Sequence, residues 1–207
     1  MTWLRRHGAF VVINVLAVLL LLWLVVDAWL GRLSADPVTD VQDRTGLYAI
    51  ILLTVSLAGT PLYWLLGFDW LRLLRRLAGL YAFGYVVLHV ANLVWLDFGF
   101  NLTFLYEDIL VKRYIIAGLA AFILLLPVFL ASLAIRQARP VRGWRWLRYL
   151  VYPAVLLAAV HFILQTRLDL RLPLAFTAVI ALLLFVRLPF IRSFIDRSGK
   201  RRVELDQ

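Results

Sequence analysis

Two histidines lie deep in long apolar stretches: His89 in RRLAGLYAFGYVVLHVANLVW (75–95) and His161 in WRWLRYLVYPAVLLAAVHF (144–162). The third, His7, sits beside Arg5 and Arg6 ahead of the first apolar run and reads as a solvated interfacial residue. An imidazole surrounded by hydrocarbon must satisfy its ring nitrogens, so it faces the interior of a helix bundle and either pairs or serves function. One reading gives each histidine an interhelical hydrogen bond, to Asn92, Tyr85 or Gln165 for example. The spacing favours a shared ligand. His89 follows Leu77, and His161 follows Tyr149, by the same 12 positions. If both helices run in the same direction, the two rings stand level, roughly 18 Å along each helix.

Two neutral imidazoles are too few for zinc, which takes three or four protein ligands, and no carboxylate or cysteine lies at this level to complete a set. Copper meets the same shortage. A haem brings four equatorial nitrogens of its own, so two axial histidines complete six-coordinate iron, and apolar walls suit the macrocycle. Small residues agree: Ala82 and Ala154 each lie seven positions before a histidine, with Gly84 on one helix and Ala158 and Ala159 on the other. Such residues also serve ordinary close packing of membrane helices.

The elements that must position these side chains are membrane spans. Of 207 residues, 64% are hydrophobic and 16% charged, against roughly 25% charged in soluble domains. Apolar segments of spanning length run over 9–29, 47–66, 77–98, 114–134, 149–166 and 173–191, against a requirement of about 17–25 residues. The expected fold is an all-α integral membrane bundle of six transmembrane helices, one domain over 1–207. The opening run is too long for the apolar part of an export signal and reads as the first span. Between the second and third spans, GFDWLRLLRRLAG reads as a short amphipathic helix at the interface. LSADPVTDVQDRTG reads as an outer loop in which Ser34 or Asp36 caps a short helix and Thr45-Gly46 marks the entry to helix two.

Alternating the sides places 16 of the 22 Lys and Arg together, with the amino terminus, the loop of Arg72, Arg75 and Arg76, the loop of Arg136 to Arg148, and the tail. The other side carries Asp36, Asp40, Asp43, Glu107 and Asp108. Both termini of this multi-pass membrane protein are therefore expected in the cytoplasm. The net charge of +10 is explained by topology and anionic lipid, with no call on nucleic acid. There is no cysteine, which excludes disulfides, Cys-ligated iron–sulfur clusters, covalently attached c-type haem and thiolate zinc sites. No Ser-His-Asp set, glycine-rich phosphate loop or intramembrane carboxylate pair offers substrate chemistry, so electron transfer is expected rather than a self-contained enzyme. A small transporter fits less well, since the interior offers little polar beyond Asn14, Thr54, Ser56, Asn92, Ser132 and the histidines.

SADPV with VQDRTG, RRLAGLYAFGYVVLH, KRYIIAG and WRWLRYLVYPAVLLAAVHF together resemble the MsrQ (YedZ) family, haem-binding membrane subunits of bacterial periplasmic methionine-sulfoxide reductase systems within the ferric-reductase-like transmembrane group. The likeness runs from about residue 30 to 190. It implies a six-helix protein of the bacterial inner membrane, b-type haem, FMN as a further cofactor, and electrons taken from the quinone pool or a cytoplasmic flavin reductase. These pass to a periplasmic molybdopterin-containing reductase that repairs oxidised methionines. It implies His89 and His161 as haem iron ligands and matches Arg75 and Arg76 to paired arginines of the family. Where the family often has a further histidine, in a W-x-x-L-H-x-x-V-Y pattern, this chain reads WRWLRYLVY with Arg148.

A guanidinium has no free lone pair for iron, so one haem b per chain is expected. Arg75, Arg76 and Arg148 are then expected to meet a flavin phosphate, a haem propionate or lipid headgroups. The acidic outer residues Asp36, Asp40 and Asp43 are candidates for docking the redox partner. A stand-alone haem-containing ferric or quinone reductase is the alternative of the same class.

Overall fold

A computed structural model describes residues 2–134, 144–166 and 169–187. The side chains of Arg5, Arg6, His7 and Arg145, the loop arginines 136, 139 and 142, and the tail from Arg192 lie outside what is described. All regular structure among the described residues is helical: α1 (Thr2–Trp29), α2 (Pro37–Leu66), α3 (Trp70–Ala91), α4 (Leu102–Val111), α5 (Arg113–Ala134), α6 (Trp144–Leu147), α7 (Val151–Gln165) and α8 (Arg171–Val186). Among the described residues five helices are long and apolar enough to cross a membrane: 10–29, 37–66, 70–97, 113–133 and 148–165. The sixth expected span is described only as the shorter α8.

Two sequence expectations are corrected. The segment read as a loop is largely helix: Asp36 caps a helix as expected, its carboxylate accepting from the Thr39 N–H at 3.1 Å with Pro37 at the first helical position, but that helix is α2 itself rather than a short separate one. The chain then stays helical through Thr45 and Gly46. The segment read as a separate interfacial helix is the first turns of α3, because nothing after Trp70 breaks the helix. The connection between α3 and α5, on which the sequence carried no expectation, contains α4, capped by Asn101 through the Thr103 and Phe104 N–H groups.

Many large apolar side chains point outward, among them Val11, Leu16, Leu19, Trp23, Leu62 and Ile123. That inversion of a soluble core is what lipid as a solvent permits. Inside, a cluster joins Leu53 and Leu57 of α2, Ala82 and Phe83 of α3, Leu125 of α5, Ala154 and Val155 of α7, and Ile180 of α8.

α3 packs along the length of α2, and α7 along α5, while α8 touches both α2 and α7. The α2–α3 crossing depends on small residues. A Cβ on Gly59 would stand 2.9 Å from Arg75 Cβ, one on Gly79 would stand 3.0 Å from Ser56 Oγ, and Ser56 Oγ donates to the Arg75 carbonyl at 2.8 Å. Gly67, with φ of 69°, ends α2 in the left-handed conformation and donates to the Tyr63 carbonyl.

The polar stretch 36–46 stays helical because its side chains are engaged. Arg44 bonds Asp27 of α1 at 2.6 Å and Asp40 at 2.8 Å, and Asp43 accepts from Gln165 of α7 at 2.8 Å.

Candidate functional site: a pair of facing histidines

α3 and α7 each pack on their own partner helix, and across the space between them the rings of His89 and His161 meet. Their centroids are 5.9 Å apart and their planes perpendicular. None of the partners considered from sequence bonds either ring directly. Tyr85 donates to the Ala17 carbonyl, Gln165 to Asp43, and Asn92 to Gln42 and the Val38 carbonyl.

Each ring is instead held the same way by its neighbouring helix. His89 Nδ1 lies 3.0 Å from the Gln42 carbonyl on α2, and His161 Nδ1 lies 2.7 Å from the Tyr114 carbonyl on α5, each acceptor 47 positions before its histidine. One turn past each acceptor stands a glycine under the ring. A Cβ on Gly46 would be 3.1 Å from His89 Cε1, and one on Gly118 would be 2.7 Å from His161 Nδ1. Only residues without a side chain let an imidazole settle onto the helix backbone in this manner.

A carbonyl only accepts, so both Nδ1 atoms carry hydrogen and both Nε2 atoms keep a lone pair of the kind that can bind a metal. A carbonyl that accepts from Nδ1 in this way fixes the orientation of an imidazole and raises the basicity of its Nε2 toward a metal. Thr45, buried beneath His89, spends its hydroxyl on the Val41 carbonyl at 2.7 Å. Two imidazoles that grip one metal from opposite sides, with metal–nitrogen bonds of about 2 Å, have centroids roughly 6 Å apart. The observed separation fits. Among the described residues no group of three or more His, Cys, Asp or Glu could hold a metal ion alone, so a metal here needs equatorial ligands from elsewhere.

Sequence reasoning missed Gly46, Gly118, Gln42 and Tyr114. A signal was available: the pairs 42/114, 46/118, 76/148, 82/154 and 89/161 share one offset of 72 positions, with the same residue type in all but the first, so α2–α3 and α5–α7 repeat one arrangement around the two rings. Ala82 and Ala154 are nearly fully buried in the core below the rings, where they let the helices approach. There Phe83 stacks on Phe129 at 4.3 Å and on Phe122 at 5.8 Å.

At the far end of the same helices, Arg75 and Arg76 lie in the second turn of α3, and Arg148 in the turn leading into α7, all exposed. Arg75 donates to Thr60 at 3.0 Å. Together with Gly59, Thr60, Tyr63, Trp64 and Arg72 it lines a cavity of about 250 Å³. Arg76 lines a separate recess with Asp69, Arg72 and Leu73. At the opposite end, Asp36, Asp40 and Asp43 each hold an intramolecular hydrogen bond. The Thr39 hydroxyl and amide keep the Asp36 carboxyl below the usual carboxylate range.

The chain matches the ferric reductase like transmembrane component family over residues 45–159, a span that includes His89 and ends two residues before His161. It is 41% identical over 152 residues to the protein-methionine-sulfoxide reductase heme-binding subunit MsrQ of Xanthomonas campestris pv. campestris (strain 8004), covering 73% of this chain and 70% of the relative. To the MsrQ of Rhodospirillum rubrum it is 39% identical over 173 residues, covering 82% of each. To that of Xanthomonas axonopodis pv. citri it is 40% identical over 162 residues, covering 78% and 74%. No solved structure matches significantly. Identity at this level over most of both chains, on a helical bundle with five spans, makes the chain a multi-pass bacterial membrane protein that belongs to the MsrQ family of ferric-reductase-like transmembrane proteins.

Proposed function

We propose that His89 and His161 are the axial ligands of a single b-type haem, and that the chain is an electron-transfer subunit serving a periplasmic methionine-sulfoxide reductase. The observation that carries this reading is the pair of imidazoles 5.9 Å apart, each with Nδ1 on a backbone carbonyl. Relatives named as heme-binding subunits support it.

A haem held there supplies a one-electron ferric–ferrous couple in the outer half of the bilayer. The chain's own residues set its surroundings. Carbonyl-bonded imidazoles are strong donors that favour the oxidised metal, and the apolar walls below exclude water.

In the proposed topology six helices cross the inner membrane with both termini cytoplasmic. Arg75, Arg76 and Arg148 then lie at the cytoplasmic edge, where guanidinium suits the phosphate of FMN, a propionate or a headgroup. Electrons enter from the quinone pool or a cytoplasmic flavin reductase and leave to a soluble molybdopterin-containing partner that docks near Asp36, Asp40 and Asp43. Reporter fusions within 100–110 should then report the outer side, and fusions after residue 207 the cytoplasm; the reverse pattern overturns this orientation.

Haem number tests the reading of Arg148. Pyridine-haemochrome analysis against protein concentration should give one haem per chain, unchanged in Arg148→Ala. A ratio near two, with one lost in Arg148→Ala, would contradict it.

A further inference from the structure

Both ring nitrogens of His89 are engaged by a single residue. Gln42 takes the Nδ1 hydrogen on its backbone carbonyl at 3.0 Å, and its side-chain Nε2 lies 3.2 Å from His89 Nε2. That amide is held in turn by Asn92, one turn beyond His89, where the helical hydrogen bonds widen to a π-type turn over Asn92–Asp97. Asn92 Nδ2 donates to the Val38 carbonyl at 3.1 Å and to Gln42 Oε1 at 2.6 Å.

The direction of every bond follows from one fixed point. Val38 offers a carbonyl, which only accepts, so the Asn92 atom facing it is the NH2. The same NH2 reaches Gln42, which must present oxygen, and so the Gln42 NH2 is the group that faces His89. An NH2 only donates, so His89 Nε2 holds a lone pair and Nδ1 the hydrogen. His161 has its Nδ1 partner alone: among the described residues nothing is hydrogen-bonded to its Nε2. One acceptor in the chain of bonds is idle. Among the described residues Asn92 Oδ1 is buried with no hydrogen-bond partner, and it lies beside the Gln42 amide that Asn92 holds.

We propose that Gln42 is a positioning residue for the iron site: its backbone carbonyl fixes His89 as the Nδ1–H tautomer, and its side-chain amide, held by Asn92, caps the Nε2 lone pair until a metal takes it. When the cap is displaced, the released Gln42 N–H turns onto Asn92 Oδ1 and the two amides pair reciprocally. This inference rests on the haem reading above.

The test uses full-length chain produced in haem-depleted cells, purified in detergent and mixed with haemin. Gln42→Leu removes the cap but leaves the backbone carbonyl on Nδ1. It should take up haemin about fivefold faster than the parent, the factor carried by one net hydrogen bond, and reach the same low-spin spectrum. Gln42→Glu keeps the size but presents only acceptors to Nε2, drawing a proton there. It should bind more slowly than the parent, and ¹⁵N NMR of histidine-labelled apoprotein should show His89 leaving the Nδ1–H form that the parent and Gln42→Leu hold.

Equal rates within twofold in all three proteins would overturn the proposal. So would a Gln42→Leu protein that binds more slowly or ends high-spin, since Gln42 would then be ordinary support for the helix. If the parent takes up no haemin, the haem reading falls, and the tautomer seen by NMR decides the relay alone.

Discussion

His89→Ala and His161→Ala are each expected to abolish the low-spin haem spectrum of the purified protein, while His7→Ala leaves it intact. The two rings come from helices that do not pack closely on one another, so neither can replace the other. Losing one leaves five-coordinate iron, which is high-spin, or an empty site. The nearest polar side chain to His89 is Gln42, whose NH2 can only donate, so it cannot substitute as a ligand through nitrogen. Haem content should fall at least about tenfold, or the residual haem should be high-spin, since even outer-shell changes cost roughly 10–100-fold in metal affinity. Absorption spectra of oxidised and reduced protein at equal chain concentration check this. Unchanged spectra in both membrane variants would remove the site.

The second large effect comes from a single methyl group. In Gly118→Ala the new Cβ would lie 2.7 Å from His161 Nδ1 and 2.9 Å from Cε1, closer than real Cβ contacts allow. Either α5 retreats or the ring lifts away from the Tyr114 carbonyl. Haem affinity should fall at least about tenfold while the helix content stays that of the parent. Gly46→Ala places its Cβ at 3.1 Å from His89 Cε1, a milder collision that a small ring shift absorbs, and should cost only about threefold. Haem titration of the two purified variants, with circular dichroism as the folding control, ranks them. A Gly118→Ala protein that binds haem like the parent would show that the glycine cradles are mere packing.

How far the site could be read from sequence depends on which interaction places each residue. The histidines were legible because a titratable side chain in an apolar run has few reasons to be there, and two at equal distance from their helix starts have one reason in common. Gly46, Gly118, Gln42 and Tyr114 were not, because their work is done across a helix–helix contact. A glycine that admits a neighbour's ring looks in sequence like any other small residue, and a backbone carbonyl has no letter at all. Only the 72-position repeat links them.

The outer segment was misread for a different reason. VQDRTG looks like a solvated loop by composition, yet Gln42, Asp43 and Arg44 each have a partner on another helix, His89, Gln165 and Asp27. Tertiary pairing keeps a polar stretch helical where composition alone points to a loop. At the other end, α3 begins at Trp70 because arginines along an amphipathic turn do not interrupt a helix.

The central claim is that both axial nitrogens of the haem come from histidine side chains of this chain. Labelling histidine alone with ¹⁵N and recording pulsed electron paramagnetic resonance of the ferric protein counts the labelled nitrogens coordinated to iron. Two equivalent strongly coupled ¹⁵N nuclei, falling to one or none in His161→Ala, are the predicted result; one or none in the parent protein would contradict the account.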